Sequence, residues 1–125
     1  MTAAHAPTEH WEQATLIRWF SVKYRGRYPA DCLVAMPNAG KRSFAVGRRM
    51  RQEGLRKGAL DLCLRIPSQG AHGLWIEMKR EGATRCDVDD DQFGDIGLLR
   101  SHGYVATWCA GHREAIAVIE AYLGE

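Results

Sequence analysis

Apolar positions recur along this chain with two periods, one helical and one alternating. Leu16, Ile17, Trp19, Phe20 and Val22 fall at helical spacing; Thr8 is placed to cap that helix, Glu9 and Glu12 sit in its first turn, and Arg25-Gly26 ends it. Cys32 to Met36 is a short apolar run closed by Pro37-Asn38-Ala39-Gly40, and Ser43 to Glu53 reads as a basic helix stopped by Gly54. Leu60, Leu62, Leu64 and Ile66 then interleave with Asp61, Cys63 and Arg65. After a turn from Pro67 to Gly73, Leu74, Ile76 and Met78 interleave with Trp75, Glu77 and Lys79, which predicts two strands joined as a hairpin. Asp89 can cap a helix reaching about Ser101, Gly103 breaks it, and Tyr104 to Cys109 is a further strand. Gly111 precedes a closing helix whose apolar stripe is Ala115, Ile116, Ile119, Tyr122 and Leu123. The predicted order αβαββαβα is that of one α/β domain over residues 1–125, a central mixed sheet flanked by helices, with residues 1–7 loose.

Composition narrows the class. A chain of 125 residues that is 46% hydrophobic and 26% charged suits one globular domain rather than a disordered tail. No apolar run approaches the roughly 18 residues that would span a bilayer, and Met1 to His10 lacks the basic start and apolar centre of a secretion signal. Cys32, Cys63, Cys86 and Cys109 are too widely spaced for a metal knuckle or a dense disulfide scaffold, which points to a reducing, cytoplasmic setting. The net charge of +2 hides an uneven distribution. Lys41, Arg42, Arg48, Arg49, Arg51, Arg56 and Lys57 face one acid, Glu53, within seventeen residues. Such a stripe fits the phosphate backbone of a nucleic acid, and it also fits a solvated helix face.

The alternation of the second hairpin strand puts Glu77 and Lys79 on one face, opposite Leu74, Ile76 and Met78. By the same rule Asp61 projects away from Leu60 and Leu62, and the hairpin can bring it beside Glu77. Two carboxylates and a lysine around one point invite a hard divalent cation such as Mg²⁺ and attack by water on a phosphodiester. Glu12 lies in line with Leu16, Trp19 and Phe20, and Gln92 with Ile96 and Leu99, so both point toward the interior. Each has a plainer reading: Glu12 favours the positive end of its helix, and Gln92 stands at capping-box distance from Asp89. Asn38, Lys41, Arg42 and Ser43 follow a strand and open a helix, a place for a DNA phosphate, although the phosphate-loop pattern of nucleotide-binding proteins fails at Ala35 and Arg42. Arg48, Arg49 and Arg51 on that helix, with Arg56 and Lys57 after it, would track the DNA backbone without reading its sequence.

The set Glu12, Asp61, Glu77-Met78-Lys79 and Gln92 resembles the PD-(D/E)XK nuclease superfamily, whose fold is that of the restriction endonucleases. The layout is similar to one branch of it, the virus-type replication-repair nuclease or VRR-NUC domain. The likeness covers nearly the whole chain. It includes Met36-Pro37-Asn38-Ala39-Gly40-Lys41-Arg42, the segment from Gly54 to Leu62, Gly73-Leu74-Trp75-Ile76-Glu77-Met78-Lys79 and Gly103-Tyr104-Val105. The resemblance implies that Asp61 and Glu77 bind Mg²⁺ or Mn²⁺ with the Met78 backbone carbonyl, that Lys79 orients or activates the attacking water, and that Glu12 and Gln92 support the site, Glu12 as a further candidate ligand. Two departures stand out: Leu60 replaces the proline that often precedes the aspartate, and Asp89 replaces the serine that commonly opens the glutamine helix. The expectation is a metal-dependent endodeoxyribonuclease that leaves a 5′-phosphate, acting as a homodimer on branched DNA such as four-way (Holliday) junctions. Two alternatives stay open: a catalytically silent nucleic-acid-binding or assembly protein of the same fold, and a nuclease of flap or linear duplex DNA.

Overall fold

The computed structural model describes residues 7–36 and 44–125, Phe44 by its backbone alone. Its helices are α1 (Glu9–Lys23), α2 (Phe44–Gln52), α3 (Asp90–Ser101) and α4 (His112–Tyr122). Its strands are β1 (Leu33–Ala35), β2 (Leu62–Leu64), β3 (Leu74–Lys79) and β4 (Val105–Ala110), in the order αβαββαβα. The strands form one mixed sheet ordered β1-β2-β3-β4. β1 with β2 and β2 with β3 run antiparallel, while β3 and β4 run parallel. A parallel pair needs a crossover, and α3 supplies it. A mixed sheet flanked by helices is the α/β architecture that the sequence predicts.

The sheet is covered on both faces. Leu16 and Phe20 of α1 and Ala115, Ile119 and Tyr122 of α4 pack on Leu62, Leu64, Leu74, Ile76 and Met78. Each fully buried Leu, Ile or Phe here contributes about 1.5–3 kcal/mol relative to exposure. On the other face Ile96 of α3 meets Leu60 and Ala106, with Trp75, Phe93, Leu99 and Trp108 around them. The odd positions of β3 therefore face α3, as its alternation predicts.

Three local expectations are corrected. Leu60 does not share a face with Leu62 and Leu64: it packs under α3, and its backbone N–H donates to Asp95 Oδ2 at 3.1 Å. The alternation breaks because the chain bends at Asp61, leaving a strand of three residues where the pattern predicts seven. Val22, counted with the α1 stripe, is 60% exposed, because it lies about 200° around the helix from Phe20 and so faces away from the sheet, while Tyr24 beyond it is buried. All four cysteines are free thiols, and no helix among the described residues is long and apolar enough to cross a membrane.

Candidate active site

The register of the β2–β3 hairpin positions the first pair of groups. Leu62 faces Ile76 and Cys63 faces Trp75, so one step further along the same ladder Asp61 meets Glu77. At the bend the Asp61 carbonyl accepts from the Met36 N–H at 2.7 Å, and its side-chain Oδ2 accepts from the Met78 N–H at 2.8 Å. The side chain thus occupies a donor that a continuing strand would have paired. The N–H and C=O of one strand residue point to the same side, so the Met78 carbonyl is also directed toward Asp61.

Glu77 is only 2% exposed. Its Oε2 accepts from Gln92 Nε2 at 2.9 Å and lies 3.4 Å from Lys79 Nζ; its Oε1 is buried without a hydrogen-bond partner. Burial pushes the Glu77 carboxyl up to about 8, and the neighbouring Asp61 charge adds to the shift while Lys79 opposes it. Burial beside a second carboxylate therefore favours the protonated form of Glu77 in the cation-free protein. Gln92 fulfils both of its sequence readings at once. Its Oε1 accepts from the Asp89 N–H at 3.0 Å in a capping box that starts α3, while its Nε2 reaches across to Glu77.

Asp61, Glu77, Lys79 and Gln92 line one polar cavity of about 340 Å³, and Glu9, Arg56 and Lys57 line it with them. The loop that carries Arg56 and Lys57 is held down by α3. Lys57 pairs with Asp91 at 3.3 Å, and Gly58, at φ +83°, passes so close that a Cβ there would stand 2.6 Å from the Asp91 backbone. Only glycine fits both that angle and that gap. A second cavity of about 320 Å³ adjoins the first through Glu9, Met36 and Asp61, with His10 and Gln13 on its wall. Glu9 was not singled out by its pattern, because a first-turn acid reads as a partner of the helix dipole. Only the tertiary placement of α1 turns it toward the carboxylates.

Glu12 goes elsewhere. It is fully buried, yet it lines neither cavity. Its Oε1 accepts from the His112 N–H at 3.2 Å and meets His112 Nδ1 at 2.6 Å, while Oε2 accepts from the Glu81 N–H at 3.1 Å. Burial alone would raise this carboxyl; the bonds from His112 and Glu81 together outweigh it and hold the group below its usual range. The physical reason lies in Gly111, the residue at the start of α4, which has no side chain with which to cap that helix. A Cβ on Gly111, whose φ is +89°, would stand 2.9 Å from Glu12 Oε2. Glu12 thus caps α4 from α1 and clamps the end of β3, where the expectation had it beside a cation.

Of the basic residues expected to meet DNA, Arg48, Arg49 and Arg51 are exposed on α2, and Arg56 and Lys57 stand at the cavity. Arg56 Nη1 donates to the Arg51 and Leu55 carbonyls at 3.0 and 3.3 Å, closing the end of α2. Asn38, Lys41, Arg42 and Ser43 lie outside the described residues. Among the described residues no group of three or more His, Cys, Asp or Glu side chains is placed to hold a metal ion. Ligation here would rest on Asp61 and Glu77, completed by main-chain and water oxygens. The residues fit a hard divalent cation: the donors are all oxygen, and Glu77 has a buried, unpartnered oxygen and a proton that a cation would displace.

No family model and no curated protein matches the sequence. A solved structure described as a VRR_NUC domain protein superposes on the chain with a TM-score of 0.81 and 27% sequence identity, covering 98% of this chain and 94% of that one.

Proposed function

We propose that this chain, a VRR-NUC domain and a nuclease, hydrolyses DNA phosphodiesters in the cavity between Asp61, Glu77, Lys79 and Gln92. The observation that carries the proposal is the buried, unpartnered Glu77 Oε1 beside a second carboxylate, in a cavity that two cations of the chain, Arg56 and Lys57, also line. Mg²⁺ or Mn²⁺ held by Asp61, Glu77 and the Met78 carbonyl would supply Lewis-acid stabilisation of charge on the phosphoryl oxygens. Gln92 fixes the Glu77 carboxylate through its 2.9 Å bond, and the Met78 N–H fixes Asp61. Lys79, only 13% exposed and tethered to Glu77, orients the attacking water and offsets charge as the phosphorus gains a fifth oxygen. Arg56 and Lys57 neutralise the flanking phosphates, and the exposed arginines of α2 extend that track. In-line attack with departure of the 3′-oxygen leaves a 5′-phosphate.

We further read the substrate as branched DNA, a four-way junction, and the acting species as a homodimer in the cytoplasm. A junction has twofold symmetry, so paired incisions call for two copies of the cavity. Side-by-side cleavage of labelled four-way junction, flap and linear duplex with Mg²⁺, Mn²⁺ or EDTA tests this, using wild type and Lys79→Ala. Metal-dependent junction cutting that is lost in the variant supports the reading of a junction nuclease. Preferential cutting of flaps or linear duplex overturns the junction assignment, and DNA binding with no cutting under either metal overturns the enzyme in favour of a binding module.

A further inference from the structure

A third cavity opens beside the catalytic one, and its chemistry is different. It measures about 400 Å³ and is bounded by Met36, Met50, Leu55 and Ala59, with Glu53 and Arg56 on its wall. That volume falls within the roughly 300–1,000 Å³ of small-ligand pockets. Met36, Arg56 and Ala59 line both it and the cavity of Asp61 and Glu77, so the two are continuous. One compartment is lined by carboxylates and cations, and the next by thioether and aliphatic side chains. A polynucleotide alternates in the same way between a charged phosphate and a flat apolar base.

Resting on the nuclease reading above, we propose that this apolar cavity takes one unstacked nucleobase next to the scissile phosphate, so that the substrate must release a nucleotide from the stack there. Three observations favour a base over another occupant. The cavity is continuous with the compartment proposed for the phosphate. Arg56 and Lys57 stand at the catalytic compartment, with the exposed Arg48, Arg49 and Arg51 on α2 beyond, charges that suit a backbone threading between the two compartments. The walls at Met36 and Met50 are soft and polarisable, suited to the face of an aromatic ring of any sequence. Extruding a base from within a continuous duplex costs its stacking and pairing energy; a base at a flap or gap is already free, and a base pair at the crossover of a junction, where continuous stacking is interrupted, opens at lower cost. The cavity therefore gives a physical source of selectivity for disrupted DNA without any reading of sequence.

The test places 2-aminopurine, and separately an abasic site, at each nucleotide flanking the cleavage position in a branched DNA. In EDTA, binding of wild-type protein raises 2-aminopurine fluorescence several-fold at one of those positions, a readout independent of cleavage. With Mg²⁺, an abasic site at that same position slows single-turnover cutting by roughly 5–150-fold, the effect of removing one stacked base. Met50→Trp, which fills the cavity, slows cutting of intact DNA similarly and makes the enzyme indifferent to the abasic site; its melting curve and DNA affinity monitor the fold. Equal rates on intact and abasic DNA, no fluorescence rise at any flanking position, or abasic and Met50→Trp effects that simply multiply would each overturn the proposal while leaving the nuclease intact. Wild-type protein that cuts no DNA with either metal overturns the nuclease reading on which the proposal rests.

Discussion

Replacing Glu77 by glutamine should stabilise the cation-free protein, although it removes a group at the centre of the proposed site. The wild-type carboxyl is buried, has one unpartnered oxygen and is pushed up to about 8. In the unfolded chain the same group ionises near its ordinary value of 4.5. Between those two values the folded state holds one more proton than the unfolded state, so its contribution to stability falls as pH rises through the window and levels off above about 8. The slope cannot exceed about 1.4 kcal/mol per pH unit for one proton. Glutamine carries no charge and keeps an oxygen for Gln92, so the variant should gain up to about 4 kcal/mol over wild type at pH 8, the slope summed over that window, and less than about 1 kcal/mol at pH 5. For a chain of this length about 1 kcal/mol moves the melting temperature by roughly 4 °C. Thermal melts of both proteins in EDTA from pH 5 to 9 should therefore diverge with rising pH, by up to about 16 °C at the alkaline end. Addition of Mg²⁺ should raise wild type and leave the variant nearly unmoved. A difference that stays flat with pH, or a variant less stable than wild type at pH 8, would refute this reasoning about Glu77.

The other buried glutamate should behave in the opposite sense. Glu12→Ala strands the His112 and Glu81 N–H groups and removes the cap of α4, so urea or thermal unfolding should show a loss of about 3–5 kcal/mol. On α2, Arg48→Ala combined with Arg49→Ala should weaken binding of all DNA sequences alike. The slope of log affinity against log salt should become shallower by about 0.9 for each phosphate no longer neutralised, read by fluorescence anisotropy over a salt series.

The two glutamates also mark where sequence reading succeeds and where it stops. Period-two alternation from Leu74 to Lys79 is local, and it correctly separates Glu77 and Lys79 from the buried Leu74, Ile76 and Met78. The hairpin register that brings Asp61 to Glu77 is nearly as local, since the nine-residue connection between β2 and β3 sets it. Helical spacing likewise shows that Glu12 faces inward, but not what it meets there. Its partner His112 is 100 residues away, and the reason for the pairing, an α4 that begins at a glycine with no capping side chain, emerges only when α1 and α4 lie on the same face of the sheet. Leu60 fails for a related cause: its backbone bond to Asp95 of α3 competes with strand alternation and wins. Glu9 gave no inward signal at all, because the first turn of a helix is acidic in many chains for reasons of its dipole. Gln92 is the instructive middle case, where the two readings of one residue prove to be its two ends.

The measurement that bears most directly on the nuclease assignment is single-turnover cleavage of branched DNA by Asp61→Asn beside wild type, at equal DNA occupancy and with Mg²⁺ in excess. Asparagine keeps the oxygen that accepts from the Met78 N–H and gives up only the charge. The expected result is unaltered folding and DNA binding with cutting reduced by at least about 100-fold, the scale set by removing one electrostatic interaction with the transition state. A folded Asp61→Asn protein that cuts at the wild-type rate would contradict the account and move the reaction away from this cavity.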